Sequence, residues 1–331
     1  MDIESVRALK VEVAEAYVRP LFESVITKSF GVPATSTKRM TGTRAGVALG
    51  VTRGETGNDY RLAVRVQRRA LDNGVLREQL ERSARGEIDY RYIGRLTKHQ
   101  TPWYQSRQRP LLIGCSVGHF NITAGTLGAF ALRAGGGRAV ILSNNHVLAD
   151  EDNGRIGDAI LQQGDLDGGT HPGDAVGALL DFVQLRSSGN LVDAAIAEIN
   201  EDIEFDLARI RDLGILAGMR NDPIEPGDRV AKVGRTTGLT RGIVTAIELD
   251  DVVVAYDKGD LSFDSQIEIE GEGDEAFSAG GDSGSLIVDE EKRGCALLFA
   301  GGDQGGTNGK GLTYANDLSV VLRELDISLA V

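Results

Sequence analysis

"AGGDSGSLIV", residues 279–288, sets two glycines, an aspartate, a serine and a further glycine just ahead of an apolar run. Read locally, it is a tight turn opening a strand. The same string fits a turn that presents Ser283 for attack on a carbonyl. A serine hydroxyl is a weak nucleophile at neutral pH. The second reading therefore requires a base within hydrogen-bond reach and a third group that fixes the base's tautomer.

Four histidines are available. His99 lies in a polar stretch, His119 follows "LLIGCSVG", and His171 sits in the loop "GGTHPGD". His146 ends "RAVILSNNHVLAD", where a buried strand would deliver an imidazole to its end. Asp193, in "NLVDAAIAEI", heads a run whose Ala194, Ile196 and Ile199 point to a core. A charge set against apolar sequence is costly unless paired, and an imidazole N–H would pair it.

Around these residues the chain from Leu111 onward breaks into short β runs punctuated by turns, including "TLGAFALRA", "DRVAKVG", "GIVTAIEL", "DVVVAYD" and "GCALLFAGG". Such frequency indicates an all-β sandwich or barrel pair, and the 43 glycines of the 331 residues suit its turns. "DLSVVLREL" reads as a closing helix. The first third differs. Val6, Leu9, Val13, Tyr17 and Leu21 fall at helical spacing, with Pro20 to kink or end the helix. "AGVALGVT" and "YRLAVRVQ" read as strands around "RGETGND", "NGVLREQLERSAR" as a helix and "IDYRYIGRL" as a strand. The organisation expected is a small α+β domain over 1–96, a polar linker over 97–110, and a mainly β domain over 111–331.

Residues 1–110 carry 20 Lys and Arg against 12 Asp and Glu, a net +8, which leaves −21 for the remainder of a chain at −13. That asymmetry suits intramolecular docking of the basic domain on the acidic one, or simply two solvated surfaces. The arginines are spread rather than clustered, which argues against nucleic acid as a partner. The start is acidic and amphipathic, unlike a secretory signal, and no apolar run is long enough to span a membrane. Two cysteines, Cys115 and Cys295, without CxxC spacing read as reduced, buried thiols in a cytoplasmic protein. No metal or cofactor is expected: "DEDNGRIGD" lacks calcium-loop spacing, and "GGTNGKGL" lacks the Ser or Thr that a phosphate loop needs after Lys310.

"NNHVLA", "VDAAIA" and "GGDSGS" resemble, in this order and at similar separations, the three active-site segments of chymotrypsin-like (trypsin-fold) serine peptidases. "KVGRTTGLTRGIVTAI", with "AGGDSGSLIV" and "ALLFAGG", looks like the second barrel of bacterial members. The whole chain is similar to bacterial trypsin-like proteins with a small N-terminal α+β unit, related to the plant narrow-leaf protein. The resemblance implies two six-stranded barrels. It makes Ser283 the nucleophile, His146 the general base and Asp193 its orienting partner, with the N–H groups of Gly281 and Ser283 as oxyanion hole.

In the zymogens of that family the aspartate matching Asp282 pairs with a newly cut N-terminus; no activation site is evident in this sequence, so Asp282 is expected to pair internally, with a neighbour such as Arg235 or Arg241 as partner. The same resemblance places Phe277, Ala279, Gly280, Ala300, Gly301, Gly302 and Tyr314 around a protein or peptide substrate, with a core position the equal alternative for Tyr314. Gly301 and Gly302 leave room for a large side chain, and no acid is present to select lysine or arginine, so a bulky apolar residue is expected. Ala300 stands where the family usually has a serine touching the aspartate. The alternatives are a catalytically idle peptide-binding scaffold and an esterase using the same residues. The N-terminal domain reads as regulator, chaperone or brace.

Overall fold

The computed structural model describes residues 1–19, 46–54, 59–67, 69–72, 74–94 and 101–331. Pro20, Leu21, most of the turn "RGETGND", and Leu96 and His99 lie outside the described residues. The chain divides into two compact units, Met1–Gln100 and Thr101–Val331.

In the first unit α1 (Ile3–Val13) begins at Asp2, whose carboxylate accepts from the Ser5 N–H at 2.9 Å. Strands β1 (Val47–Arg53) and β2 (Tyr60–Val66) pair antiparallel, and β3 (Ile88–Tyr92) adds parallel to β2. A parallel neighbour needs a crossover, and α2 (Gly74–Ser83) provides it. Leu62, Val64 and Val66 pack against Val6 and Val13 of α1 and Leu76 and Leu80 of α2.

Residues 101–110, the second part of the expected linker, are built into the second unit. Trp103 Nε1 donates to Asp212 at 2.6 Å, Gln105 Nε2 donates to the Arg235 carbonyl at 3.1 Å, and Arg109 donates to Gln162 Oε1 at 2.6 Å.

The first half of that unit contains β4 (Leu111–Ile113), β5 (Ser116–His119), β6 (Gly125–Thr126), β7 (Ala129–Arg133), β8 (Val140–Ser143), the short α3 (Asn145–Leu148), β9 (Ala159–Leu161), β10 (Ala175–Phe182) and β11 (Ala195–Ile199), then β12 (Phe205–Ile210) and β13 (Gly214–Ile215). The second half contains β14 (Arg229–Gly234), β15 (Gly238–Leu249), β16 (Val252–Tyr256), β17 (Gly259–Phe263), β18 (Gln266–Gly271), β19 (Leu286–Asp289), β20 (Gly294–Gly301) and β21 (Leu312–Asp317). Helix α4 (Leu318–Glu324) and β22 (Ile327–Leu329) close the chain.

Strands β14-β15-β18-β21-β20-β19 form a closed barrel in which each strand has a neighbour on both sides. Its interior holds Val230, Val244, Ile267, Ile269, Phe277 and Leu298. The first half differs from the expected six closed strands. It is a half-barrel, an eight-stranded sheet in the order β22-β7-β8-β11-β10-β9-β5-β6, into which the chain's last strand returns beside β7. The mainly β double-barrel architecture otherwise forms as expected. Hairpin β16–β17 is inserted between β15 and β18 as a separate two-stranded sheet.

Candidate active site

The register of one strand pair brings His146 and Asp193 together. β8 and β11 run antiparallel with Ser143 opposite Ala195, so the chain leaves β8 at the end where it enters β11. His146 lies three residues beyond Ser143 and Asp193 two residues before Ala195. The imidazole Nδ1 meets Asp193 Oδ2 at 2.5 Å, and the His146 backbone N–H donates to Oδ1 at 3.2 Å. Asn144 Nδ2 donates to the Asp193 carbonyl at 2.6 Å, and the Asp193 N–H donates to Asn316 Oδ1 at 2.9 Å.

Asp193 is fully buried. Burial alone would push its carboxyl up, but the His146 charge and hydrogen bond, with a hydrogen bond from Tyr256, bring it below the ordinary value. Burial draws the imidazole down, and the charge of Asp193 more than offsets this, so His146 sits above the usual 6.5. Tyr256 was not singled out from sequence. Its hydroxyl donates to Asp193 Oδ2 at 2.6 Å, and the ring stands edge-on to His146 with centroids 6.0 Å apart.

Ser283 lies in the turn between residues 279 and 285. The turn is shaped by Gly281 at φ +95° and Gly284 at φ +91°, values that L side chains rarely adopt. Its core is Asp282, fully buried. Oδ1 accepts from the N–H groups of Thr236 and Thr237 at 2.8 and 3.1 Å, and Oδ2 accepts from Ala279 N–H and Thr237 Oγ1. The cation is Lys232 at 3.0 Å, equally buried, on β14. This corrects the expected Arg235 or Arg241: Arg235 makes a two-pronged bridge to Asp167 instead, at 2.7 and 2.5 Å. Lys232 shares the barrel-facing side of β14 with Val230, which carries its ammonium under the turn.

The first half holds the same turn from the other side. The Thr126 N–H donates to the Ser283 carbonyl at 2.8 Å, and Thr126 Oγ1 donates to the Gly281 carbonyl at 3.1 Å. Among the described residues neither the Gly281 nor the Ser283 N–H donates to a protein acceptor. Ser283 Oγ donates to the Phe299 carbonyl at 3.4 Å, and no hydrogen bond joins it to His146.

His146 and Ser283 open onto one cleft of about 530 Å³. Ala279, Gly280, Ala300, Gly301 and Gly302 line it, together with Tyr256. Two expected substrate contacts are elsewhere. Phe277 is buried in the barrel core, and Tyr314 packs beside Phe263 and Phe299 while its hydroxyl donates to Glu268 at 3.1 Å. Phe277 lies in the loop between β18 and β19, and Tyr314 on β21 opposite Glu268 of β18. His119 is buried against Asp158 at 3.1 Å. Cys115 and Cys295 are unpaired, and burial pushes each thiol up to about 12. Among the described residues no group of His, Cys, Asp or Glu is gathered as a metal would need, and no helix is long and apolar enough to cross a membrane.

A closed six-stranded barrel beside a half-barrel is the double-barrel fold of the chymotrypsin-like serine proteases. Within it, residues 212–320 match the family model of the Nal1 C-terminal domain. No curated protein sequence matches the chain. Among solved structures the chain is similar to a Nocardiopsis protease at 17% identity, covering 66% of this chain and 98% of that one, with a TM-score of 0.47. It is also similar to Thermobifida fusca protease A, at 15% identity, 66% and 97% coverage and a TM-score of 0.46. A Cellulomonas bogoriensis chymotrypsin gives 16% identity, 66% and 97% coverage and a TM-score of 0.45.

Proposed function

We propose that the protein is a serine peptidase that cleaves peptide bonds through an acyl-enzyme. One observation carries the reading: a buried Asp193–His146 pair opens onto the same cleft as Ser283, whose turn keeps two N–H groups free of protein acceptors. In this reading Ser283 Oγ attacks the scissile carbonyl carbon as its proton passes to the distal nitrogen of His146. Oxyanion charge falls on the N–H groups of Gly281 and Ser283. The imidazolium returns the proton to the leaving amine, leaving an ester on Ser283. Water then repeats the sequence and releases the acid.

The bond of Ser283 Oγ to the Phe299 carbonyl is long at 3.4 Å, so it holds the hydroxyl only weakly away from His146. β20 pairs with β21 over Ala300 and Gly301, and its pairing with β19 ends at Leu297. The free side beyond supports substrate backbone adding as a strand. Small walls at Ala279, Gly280, Gly301 and Gly302 support a large apolar side chain beside the scissile bond. The reduced thiols support a cytoplasmic setting.

A fluorophosphonate probe tests the activity. Wild type is expected to label at Ser283, and Ser283→Ala and His146→Ala to lose the label. A well-folded wild type that does not label would return the protein to the class of idle scaffolds. Parallel peptide and ester substrates separate a peptidase from an esterase.

A further inference from the structure

The aspartate of this site lacks the support that the resemblance leads one to expect, because Ala300 carries a methyl group and no donor. Asp193 Oδ2 nevertheless receives two donors, His146 Nδ1 at 2.5 Å and the Tyr256 hydroxyl at 2.6 Å. The carboxylate is sealed from solvent, so its remaining lone pairs depend on protein donors. We propose that Tyr256 is a positioning residue: hairpin β16–β17 swings a phenol over the site, and its hydroxyl fixes Asp193 so that the imidazole presents its other nitrogen to Ser283. The inference rests on the peptidase reading given above and names the group that completes it.

The hairpin is built to hold that hydroxyl in place. Tyr256 stacks on Phe263 across the hairpin, with centroids 6.0 Å apart, and Phe263 meets Phe299 of β20 at 4.7 Å. β17 is tied to the segment before Asp193. Asn190 Nδ2 donates to the Ser262 carbonyl at 2.9 Å and the Asp264 N–H to the Asn190 carbonyl at 2.8 Å. Its turn is tied to the loop after His146. Lys258 Nζ binds Asp152, and the Asp257 N–H donates to Glu151 at 3.2 Å. One hairpin thus touches the segments that carry both members of the pair. Besides Asp193, the charged groups facing the imidazole and the phenol are Glu151 and Asp152, the latter neutralised by Lys258. A phenol beside a buried carboxylate stays protonated, since burial and the Asp193 charge both push it up.

The test replaces one oxygen. In full-length Tyr256→Phe, fluorophosphonate inactivation is followed against pH. The maximal rate is expected to fall about tenfold, as for loss of one hydrogen bond to a charged group, while the apparent binding constant stays within about twofold. The acid limb should move to higher pH, because the carboxylate charge, no longer shared with the phenol, binds the imidazolium more tightly. An unchanged rate with an unchanged limb would overturn the proposal. A second readout needs no turnover, the low-field proton resonance of His146 Nδ1. If wild type is inert to the probe, the peptidase reading fails by itself, and the resonance still decides. A shift in the Phe variant upholds the positioning role, and a resonance identical to wild type removes it.

Discussion

Asp193 and Asp282 are both carboxylates without solvent exposure, and they are partnered in opposite ways. Asp282 is met by an ammonium, a hydroxyl and three backbone N–H groups, a set that cannot change hands during a reaction. Asp193 is met by an imidazole, the same residue's backbone N–H and a phenol, and the imidazole is partly exposed to the cleft. The first arrangement fixes the shape of a turn. The second holds a proton acceptor at the mouth of a cleft. Under the peptidase reading, the identity of the donors, not burial, separates the chemical carboxylate from the structural one.

The sharpest way to break this contrast is Asp193→Asn. Under the peptidase reading, turnover should fall about ten-thousandfold, as removal of an orienting carboxylate does elsewhere, with little loss of thermal stability. Unfolding of the variant would show that Asp193 serves the fold as Asp282 does. The converse is Lys232→Met, which strands Asp282 as an unpaired buried charge. It should cost about 3–5 kcal/mol in a denaturant titration. A stability change under about 1 kcal/mol would mean that the backbone donors suffice.

Next is Gly284→Ala. The added Cβ would sit 2.1 Å from Ser143 Oγ and 2.4 Å from the Thr126 carbonyl, at a positive φ. A loss of about 1–3 kcal/mol is expected, together with weaker labelling of Ser283. Unchanged melting would show that the two halves grip the turn less tightly than their contacts imply.

The smallest effect is one of pH. His146 must be neutral to accept a proton, and its affinity is raised, so the acid limb of kcat/KM should have its midpoint above 6.5. The linked stability has the same origin. The part due to protonated His146 is present below 6.5 and is lost as pH rises through the raised folded value. The part due to Asp193 is present above 3.8 and is lost as pH falls through its lowered one. A limb centred at or below 6.5 would mean that the pair is looser in solution.

Much of this was legible in the sequence, because β runs, turn glycines and three short motifs each act locally. "NNHVLA" and "VDAAIA" sit at the ends of strands that pair; the residues marked them as candidates, and the family resemblance supplied the expectation that they meet. Lys232 was harder to read. Inside "DRVAKVG" it looks like the solvent-facing member of an alternating strand, whereas β14 is buried on both faces and the lysine shares Val230's side. That shared parity was the available signal, and it pointed away from the more conspicuous Arg235. Tyr256 gave no local signal. "DVVVAYD" reads as an ordinary strand, and only the folding of an inserted hairpin against Phe299 and Asn190 aims the phenol. The return of β22 to the first half was equally hidden, since three residues carry too little pattern to mark a strand.

The hold that Thr126 keeps on the Ser283 turn has a consequence for how the molecule comes apart. The turn is a shared rivet: its underside is bolted to Lys232 in the barrel and its rim to β6 in the half-barrel. Loosening either half therefore slackens the serine's own backbone. Opening of the half-barrel alone, as a native-state hydrogen-exchange experiment would register it, is also the event that retires the site.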